Sequence, residues 1–451
     1  MHPHPPDDAP MTVGVVGTGH VGLITCLSLA SVGHRVTGYD VDHSKVKALL
    51  EGRMPFHEPG IQDAVAKEVT AGRLSFADEI ARAVAGADVV FICVGTPTRA
   101  SGQANLLAVE RAARDIAKHA TGPLVVVEKS TVPAGTSTHV ERTLARERPD
   151  LVGTIELLSN PEFLREGRAL DDAMHPERIL VGGSSPRAFE VMRRLYQPFL
   201  DEGVPLIETD ITSAELSKHA SNAFLALKIS FTNALARLCE ASGADIEAVA
   251  RVMGADPRIG PDFLGAGLGF GGYCLPKDLA AFEHMSERLG YPFAMLAEVA
   301  RINDEAIAAA MSKIRDVVWN LEGKRVALLG LSFKPDTDDV RFSPALALAR
   351  QLIAEGASVV GFDPVAGDAA RNELPELDVV ADPYAAAEGA SCVVVCTAWD
   401  ELRELDLNRL GERMAAKNLV DGRNLLDGQA AVAAGFTYRA MGRPDPSAAT
   451  P

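Results

Sequence analysis

Cys274 follows a glycine-rich run, Gly265-Ala266-Gly267-Leu268-Gly269-Phe270-Gly271-Gly272-Tyr273, and precedes Leu275-Pro276-Lys277-Asp278. Glycines leave backbone N–H groups uncovered and let a ligand approach the main chain closely. Proline suits the first turn of a helix, so Pro276 puts Cys274 at or just before a helix N-terminus. The partial positive charge there favours the thiolate, which is the nucleophilic form. A lone cysteine is more often a small buried hydrophobe; the glycines before it and the proline after it argue for a nucleophile. Asp278, one turn on, shares its helix face. Glu215, Lys218 and Asn222 recur at spacings of three and four, hence on one face of a helix. A solvated charged face is the ordinary meaning of that pattern. Here Asn222 opens an otherwise apolar run, NAFLALKISFTNALA, so Lys218 and Asn222 read as a polar cluster held against the core. Asn160-Pro161-Glu162 places a carboxylate beside a rigid turn, where Glu162 can act as a general base for water or be a plain surface carboxylate.

Gly17-Thr18-Gly19-His20-Val21-Gly22 matches GxGxxG between an apolar strand-like run, TVGVV (12–16), and a helical stretch over 20–32. In that context the first glycine makes the tight turn, the second lets backbone approach a pyrophosphate, and the third allows helix and strand to pack. The pyrophosphate sits on the helix N-terminus. Asp40 ends the next strand, 18 residues after Gly22. A carboxylate there accepts from ribose hydroxyls and repels a 2′-phosphate, which favours NAD over NADP. Val94-Gly95-Thr96-Pro97 and Ser130-Thr131-Val132-Pro133 also follow strand-like runs. They are either nicotinamide-facing turns or ordinary proline-punctuated ones. No His/Cys/Asp/Glu set has metal-ligand spacing, and neither GxSxG nor GxxxxGK[ST] occurs.

The elements that must hold these groups alternate strand and helix. HRVTGYD (34–40), ADVVFICV (87–94), PLVVVEK (123–129) and TIELLS read as further buried strands of a parallel sheet with helices on both faces. Ile211 to Ser242 is one long helix stopped by Gly243. Helix continues to about 310, interrupted by the glycine-rich segment 260–272. The strand–helix alternation restarts at Lys324, with strands at 324–330, 357–363, 391–398 and a last one at 418–424, and a helix over 343–355. The expected fold is α/β: two Rossmann-like doubly wound parallel-sheet domains joined by a long central helix and a helical middle.

The chain has 451 residues, 47% hydrophobic and 23% charged, with 44 Lys+Arg against 61 Asp+Glu and a formal charge of −17. That composition excludes disordered, collagenous and coiled-coil classes. It lacks the basic surface a nucleic-acid partner needs. No apolar run is long enough to span a membrane. MHPHPPDDAP has neither a basic n-region nor an apolar h-region and reads as a disordered leader, not a secretory signal. Six widely spaced cysteines point to a reducing cytoplasm, with Cys392 and Cys396 as buried strand residues.

Taken together, GTGHVG (17–22), VGTP (94–97), STVPAGT (130–136), SNPEFLREG (159–167), AELSKHASNAFLALKISFTN (214–233), DPRIGPDFLGAGLGFGGYCLPKDL (256–279) and GLSFKPDTDDVRFSP (330–344) resemble the nucleotide-sugar 6-dehydrogenases of the UDP-glucose/GDP-mannose dehydrogenase family. The match runs from about 12 to 425. After the leader read over 1–10, the resemblance implies an NAD-binding domain over 11–205, a central helical and dimerisation domain over 206–315 and a UDP-sugar domain over 316–451. It implies a homodimer acting on UDP-glucose with NAD, in a four-electron oxidation of C6 through a thiohemiacetal and a thioester on Cys274.

By the same resemblance Lys218 and Asn222 polarise the reacting oxygen, Asp278 and Thr131 hold a water or relay a proton, and Glu162 assists thioester hydrolysis. Gly17, Gly19, Val21, Gly22, Asp40, Thr96, Thr131, Glu166 and Arg341 would contact NAD. Phe163, Leu164, Glu166, Lys218, Asn222, Phe263, Gly265, Gly271 and Lys334 would contact the sugar nucleotide, and Arg258 that of a dimer partner. Three positions depart from the family pattern: Tyr273 for serine, Gly265 for lysine, Phe342 for glutamate. The first two bear on sugar and base preference, so GDP-mannose, dTDP-glucose and UDP-N-acetyl-hexosamine stand as alternative substrates. A two-electron NAD dehydrogenase and a non-catalytic sensor are the readings from other classes.

Overall fold

The computed structural model describes residues 9–99 and 101–446, so the expected leader lies outside the described residues except for Ala9 and Pro10. The chain forms two compact units that divide between Ser221 and Asn222.

The first unit carries β1 (Thr12–Val16), β2 (Arg35–Tyr39), β3 (Leu74–Ala77), β4 (Val89–Ile92), β5 (Leu124–Glu128), β6 (Ile155–Ser159), β7 (Ile179–Gly182) and β8 (Leu206–Thr209). They lie in one sheet in the order β3-β2-β1-β4-β5-β6-β7-β8. The apolar runs become central strands because both faces are covered. Side chains alternate across a strand, and Val89, Phe91, Val125 and Val127 enter one hydrophobic core while Val90, Ile92, Leu124 and Val126 enter another. One expectation is corrected: the sheet is not wholly parallel, since β6 meets β7 antiparallel through Ser159 and Gly182. The connection between them carries only the six-residue helix Ala169–Met174. At 1.5 Å per residue it covers roughly 9 Å, about half the length of a five-residue strand, too short for a full crossover.

The second unit has β9 (Arg325–Leu329), β10 (Ser358–Phe362), β11 (Asp378–Val380), β12 (Cys392–Val395), β13 (Asn418–Asp421) and β14 (Thr437–Ala440), in the order β11-β10-β9-β12-β13-β14. Every pair is parallel. This is the doubly wound order, and the first six strands of the other sheet follow it too. The same alternation builds two cores: Val326, Leu328, Cys392 and Val394 face one, Ala327, Leu329, Val393 and Val395 the other. The strand at 418–424 is therefore not the last. β14 was hidden because TYRA is four residues long, too short for periodicity to register.

The long helix runs Ile211–Ser242, and Gly243 follows it at φ +77°, the left-handed conformation that ends helices at glycine. Further helices span Ile246–Gly254, Cys274–Arg288 and Ala294–Val317.

Candidate active site

In the first unit the glycine motif caps the helix His20–Ser31 directly after β1. Gly17 has φ +97°, and a Cβ there would lie 2.5 Å from the Cys93 carbonyl oxygen; one on Gly22 would lie 1.7 Å from that of Gly17. A Cβ on Gly19 would meet nothing within 4 Å, so this glycine leaves open space where a diphosphate would approach the helix N-terminus. Val21 packs at the edge of the first core. Asp40 is buried, and its Oδ2 accepts from the Thr18 amide and from Lys45 Nζ, both at 2.8 Å. The Lys45 hydrogen bond and two backbone N–H donors outweigh burial and hold its carboxyl below the usual range. Asp40 is thus a fixed carboxylate at the end of β2. The cradle fits a dinucleotide with an unphosphorylated ribose.

Beyond β4 and β5, Thr96 Oγ1 donates to the Thr131 carbonyl at 2.9 Å, and Ser130 Oγ accepts from the Val94 amide. The two proline-punctuated turns are thereby tied together. Glu162 is buried, not a surface carboxylate. Its Oε1 lies 2.9 Å from Lys218 Nζ and its Oε2 accepts from the Leu164 amide. Lys218 Nζ also lies 5.4 Å from the centre of the Phe163 ring, over which the Arg178 guanidinium stacks at 3.9 Å. Lys218, Glu162 and Phe163 are therefore brought together. Asn160 anchors this turn: Lys129 Nζ and the Tyr196 hydroxyl donate to its Oδ1, and its Nδ2 donates to the Leu180 carbonyl. Lys129 ends a strand-like run and Asn160 opens a quoted turn, but nothing in the sequence pairs them. Glu215 departs from the expected cluster, because its carboxylate accepts from the Gly135 and Ser137 amides and so caps the helix Thr136–Glu147. Glu166 and Gly167 form a turn before Ala169–Met174.

Glu128 ends β5 and is buried, with Oε1 accepting from the Ser130 amide. Burial pushes its carboxyl from an ordinary 4.5 up to about 8. The native state thus holds one more proton than the unfolded chain between those values. Stability from this group is fully present below 4.5, declines as pH rises, and is lost above about 8. Glu128→Gln is expected to leave the thermal midpoint unchanged near pH 4 and to raise it above that of the parent at pH 8. Thermal unfolding at the two values checks this; an equal shift at both would assign the effect to packing.

In the second unit Cys274 is the first residue of the helix Cys274–Arg288 and is half-buried, with Pro276 in the first turn. Asp278, one turn later, is buried and accepts from Asn222 Nδ2 at 2.6 Å. Its Oδ1 pairs with the buried Lys277, a partner to which the sequence assigned no role. The approach to Cys274 is held by close packing. A Cβ on Gly271 would lie 2.2 Å from the Phe342 carbonyl oxygen, and one on Gly272 2.6 Å from the Phe333 ring. The Gly272 amide donates to the Arg341 carbonyl at 3.0 Å. Asn233 Oδ1 accepts from the Gly267 amide, and Asn303 bonds both polar groups of the Phe270 main chain. These two asparagines shape the glycine loop from distant helices; Asn233 closes a quoted motif, but nothing local marks either for this contact.

Phe263 is left-handed at φ +64°. Gly265 is exposed, and a Cβ there would meet nothing within 4 Å, so no steric need keeps this position glycine. Arg258 is held by Asp256 and its side chain is 87% exposed. Lys334 Nζ lies 5.5 Å from the Phe333 ring centre. Arg341 is exposed and pairs with Asp339. Among the described residues no group of three His, Cys, Asp or Glu side chains is placed to hold a metal, none of the six cysteines forms a disulfide, and no helix is long and apolar enough to cross a membrane.

Three family models match in order. Residues 11–200 match the NAD binding domain of the UDP-glucose/GDP-mannose dehydrogenase family, 212–305 its central domain and 327–428 its UDP binding domain. The chain is 44% identical to UDP-glucose 6-dehydrogenase of Rhizobium meliloti (strain 1021), over 96% of this chain and all of that protein. It is 40% identical to UDP-glucose 6-dehydrogenase TuaD of Bacillus subtilis (strain 168), over 96% of this chain and 93% of the relative. A UDP-glucose dehydrogenase structure from Pyrobaculum islandicum superposes with a TM-score of 0.90 at 39% identity, covering 98% of this chain and 99% of that one. The cofactor is NAD, as the cradle between β1 and its helix and the fixed carboxylate of Asp40 require. With its nucleotide cradle, its cysteine at a helix start and three successive domain matches, the chain belongs to the UDP-glucose/GDP-mannose dehydrogenase family.

Proposed function

We propose that this chain oxidises C6 of UDP-glucose to the carboxylate, producing UDP-glucuronate and consuming two NAD. The observation that carries the proposal is Cys274 at the first position of a helix, one turn from a buried Asp278 that is bonded to Asn222. The names of relatives 40–44% identical over nearly the whole chain support the choice of sugar nucleotide.

NAD, when bound, supplies the hydride acceptor for both oxidations. Gly17, Gly19, Val21 and Gly22 would hold its pyrophosphate and Asp40 its ribose, with Thr96, Thr131, Glu166 and Arg341 as further contacts. Lys218 and Asn222 hold the C6 oxygen and stabilise the charge that develops on it. The Cys274 sulfur adds to the C6 aldehyde and the aldehyde oxygen takes up a proton, giving a thiohemiacetal. Loss of a hydride and a proton from that carbon makes the thioester. Water then adds to the thioester carbon as Glu162 takes its proton, and the C–S bond breaks to return the thiolate and release the acid. Asp278 and Thr131 hold that water or relay its proton. Phe163, Leu164, Phe263, Gly265, Gly271 and Lys334 line the sugar-nucleotide position, and Arg258 reaches the substrate of a second copy.

The test is the NADH formed per UDP-glucose consumed, run to completion with NAD in excess. Two is expected. One would make the chain a two-electron dehydrogenase, and none would shift the substrate to GDP-mannose, dTDP-glucose or a UDP-N-acetyl-hexosamine, each then tried in turn.

The same proposal assigns residues 11–205 to the cofactor, 206–315 to the central helices and 316–451 to the nucleotide. Limited proteolysis that cut first inside 11–205 would oppose that division. The homodimer has its own support: Phe224, Phe231 and Leu238 recur every seven residues on the long helix and are 61%, 49% and 64% exposed. An apolar stripe of that kind is a helix-packing surface. Sedimentation of the parent as a dimer and of Phe231→Glu as a monomer is expected; a monomeric parent would overturn it. A cytoplasmic location fits six cysteines outside disulfides. Activity recovered mainly in an extracytoplasmic fraction would refute it.

A further inference from the structure

Glu58 lies between the helices His43–Leu50 and Ile61–Thr70 and is buried. Its Oε1 accepts from the Ala169 amide at 2.7 Å and, at 3.4 Å, from that of Leu170. Its Oε2 accepts from the Gly167 amide at 2.8 Å and lies 3.2 Å from His20 Nε2. A carboxylate only accepts, so this ring nitrogen carries the proton. His20 is the fourth residue of GxGxxG and the first of the helix His20–Ser31. Phe56 stacks on its ring, with centroids 3.8 Å apart and planes at 21°. The far end of the helix Ala169–Met174 is tied to the same helix separately, by Ser31 Oγ donating to the Met174 sulfur at 3.2 Å. Glu58 therefore governs the near end, where the turn of Glu166 and Gly167 leads into it. The desolvation of a buried carboxylate is offset only when its lone pairs are filled. Here every donor to Glu58 among the described residues comes from one of two segments: the glycine cradle, or the turn bearing Glu166 and the helix start that follows it.

We propose that Glu58 is a positioning residue for the cofactor: it clamps the turn bearing Glu166 to the first residue of the nucleotide helix, so that a dinucleotide meets both segments already in place. The proposal rests on the assignment of Glu166 to NAD made above.

The experiment measures NAD binding to the full chain by titration without substrate, UDP-glucose binding without NAD, and the thermal midpoint. Glu58→Gln keeps the side chain's size but sets an N–H2 group among donors. It is expected to weaken NAD about tenfold, with UDP-glucose affinity within twofold of the parent. His20→Phe keeps the stack on Phe56 and all three amide contacts, and is expected to weaken NAD about threefold. On a Glu166→Gln background Glu58→Gln is expected to add less than about twofold, since the clamp acts through that turn. Equal losses of affinity for NAD and UDP-glucose, or a lowered thermal midpoint with NAD affinity intact, would make Glu58 a support of the fold alone and overturn the proposal. A loss that persists in full on the Glu166→Gln background would overturn it too. Should Glu58→Gln fail to fold, His20→Phe carries the test, and unchanged NAD affinity there would sink the clamp. Unchanged NAD affinity in Glu166→Gln would remove the assignment of Glu166. Impaired Glu166→Gln beside an unimpaired Glu58→Gln would remove only the role of Glu58.

Discussion

Cys274→Ala is expected to abolish formation of the uronate and to lower turnover by about four orders of magnitude, equivalent to about 5.5 kcal/mol of barrier. The sulfur is the atom that holds C6 through the second oxidation, and no other side chain in the proposed scheme supplies a nucleophile. The residue is half-buried at a helix start, so the change to alanine removes little packing, and the thermal midpoint should stay close to that of the parent. The first oxidation needs no thiol, so the variant should still release NADH slowly, at no more than one per sugar nucleotide. Mass spectrometry of the products checks this; a normal yield of acid from the variant would rule out the thioester route.

Lys218→Met should lose both stability and activity, for separable reasons. Lys218 and Glu162 are both buried with a 2.9 Å ion pair. Removing one partner of such a pair leaves a charge in a poorly solvated place and costs about 3–5 kcal/mol. Removing a donor to a developing oxyanion costs about 10²–10³ in kcat. The double variant Lys218→Met/Glu162→Gln removes both charges of the pair, and it should recover part of the stability lost in the single variant while staying inactive. Urea unfolding and steady-state kinetics on both variants decide the matter. Normal kcat in Lys218→Met would end its polarising role, and a double variant as unstable as the single one would show that the pair is not the source of the loss.

Much of the framework was legible because its signals are local. Valine-rich runs such as VVFI and LVVVE must have both faces covered, and the two alternating cores are the direct result. GxGxxG works through its own backbone, and Pro276 marks the helix start two residues after Cys274. Other features were legible in type and misplaced in use. Glu215 shares a face with Lys218, yet its carboxylate caps a different helix through Gly135 and Ser137, because those amides lie 80 and 78 residues away in sequence and beside it in space. Asn233 and Asn303 hold the glycine loop from 34 and 33 residues away. Lys277 stood within a quoted motif, but only packing shows that it is buried and pairs with its neighbour Asp278.

The sequence by itself determined the strand–helix alternation, the nucleotide cradle, the helix-borne cysteine and the family. Periodicity, glycine conformation and proline placement act over a few residues and need no partner. The tertiary structure alone decided that β7 runs antiparallel to β6, that Glu162 is a buried ion-pair partner of Lys218, and that Tyr273 lies against Arg341. Those outcomes depend on which distant segments share a desolvated space, and a buried charge or an open aromatic face takes its meaning from whatever the fold sets opposite it.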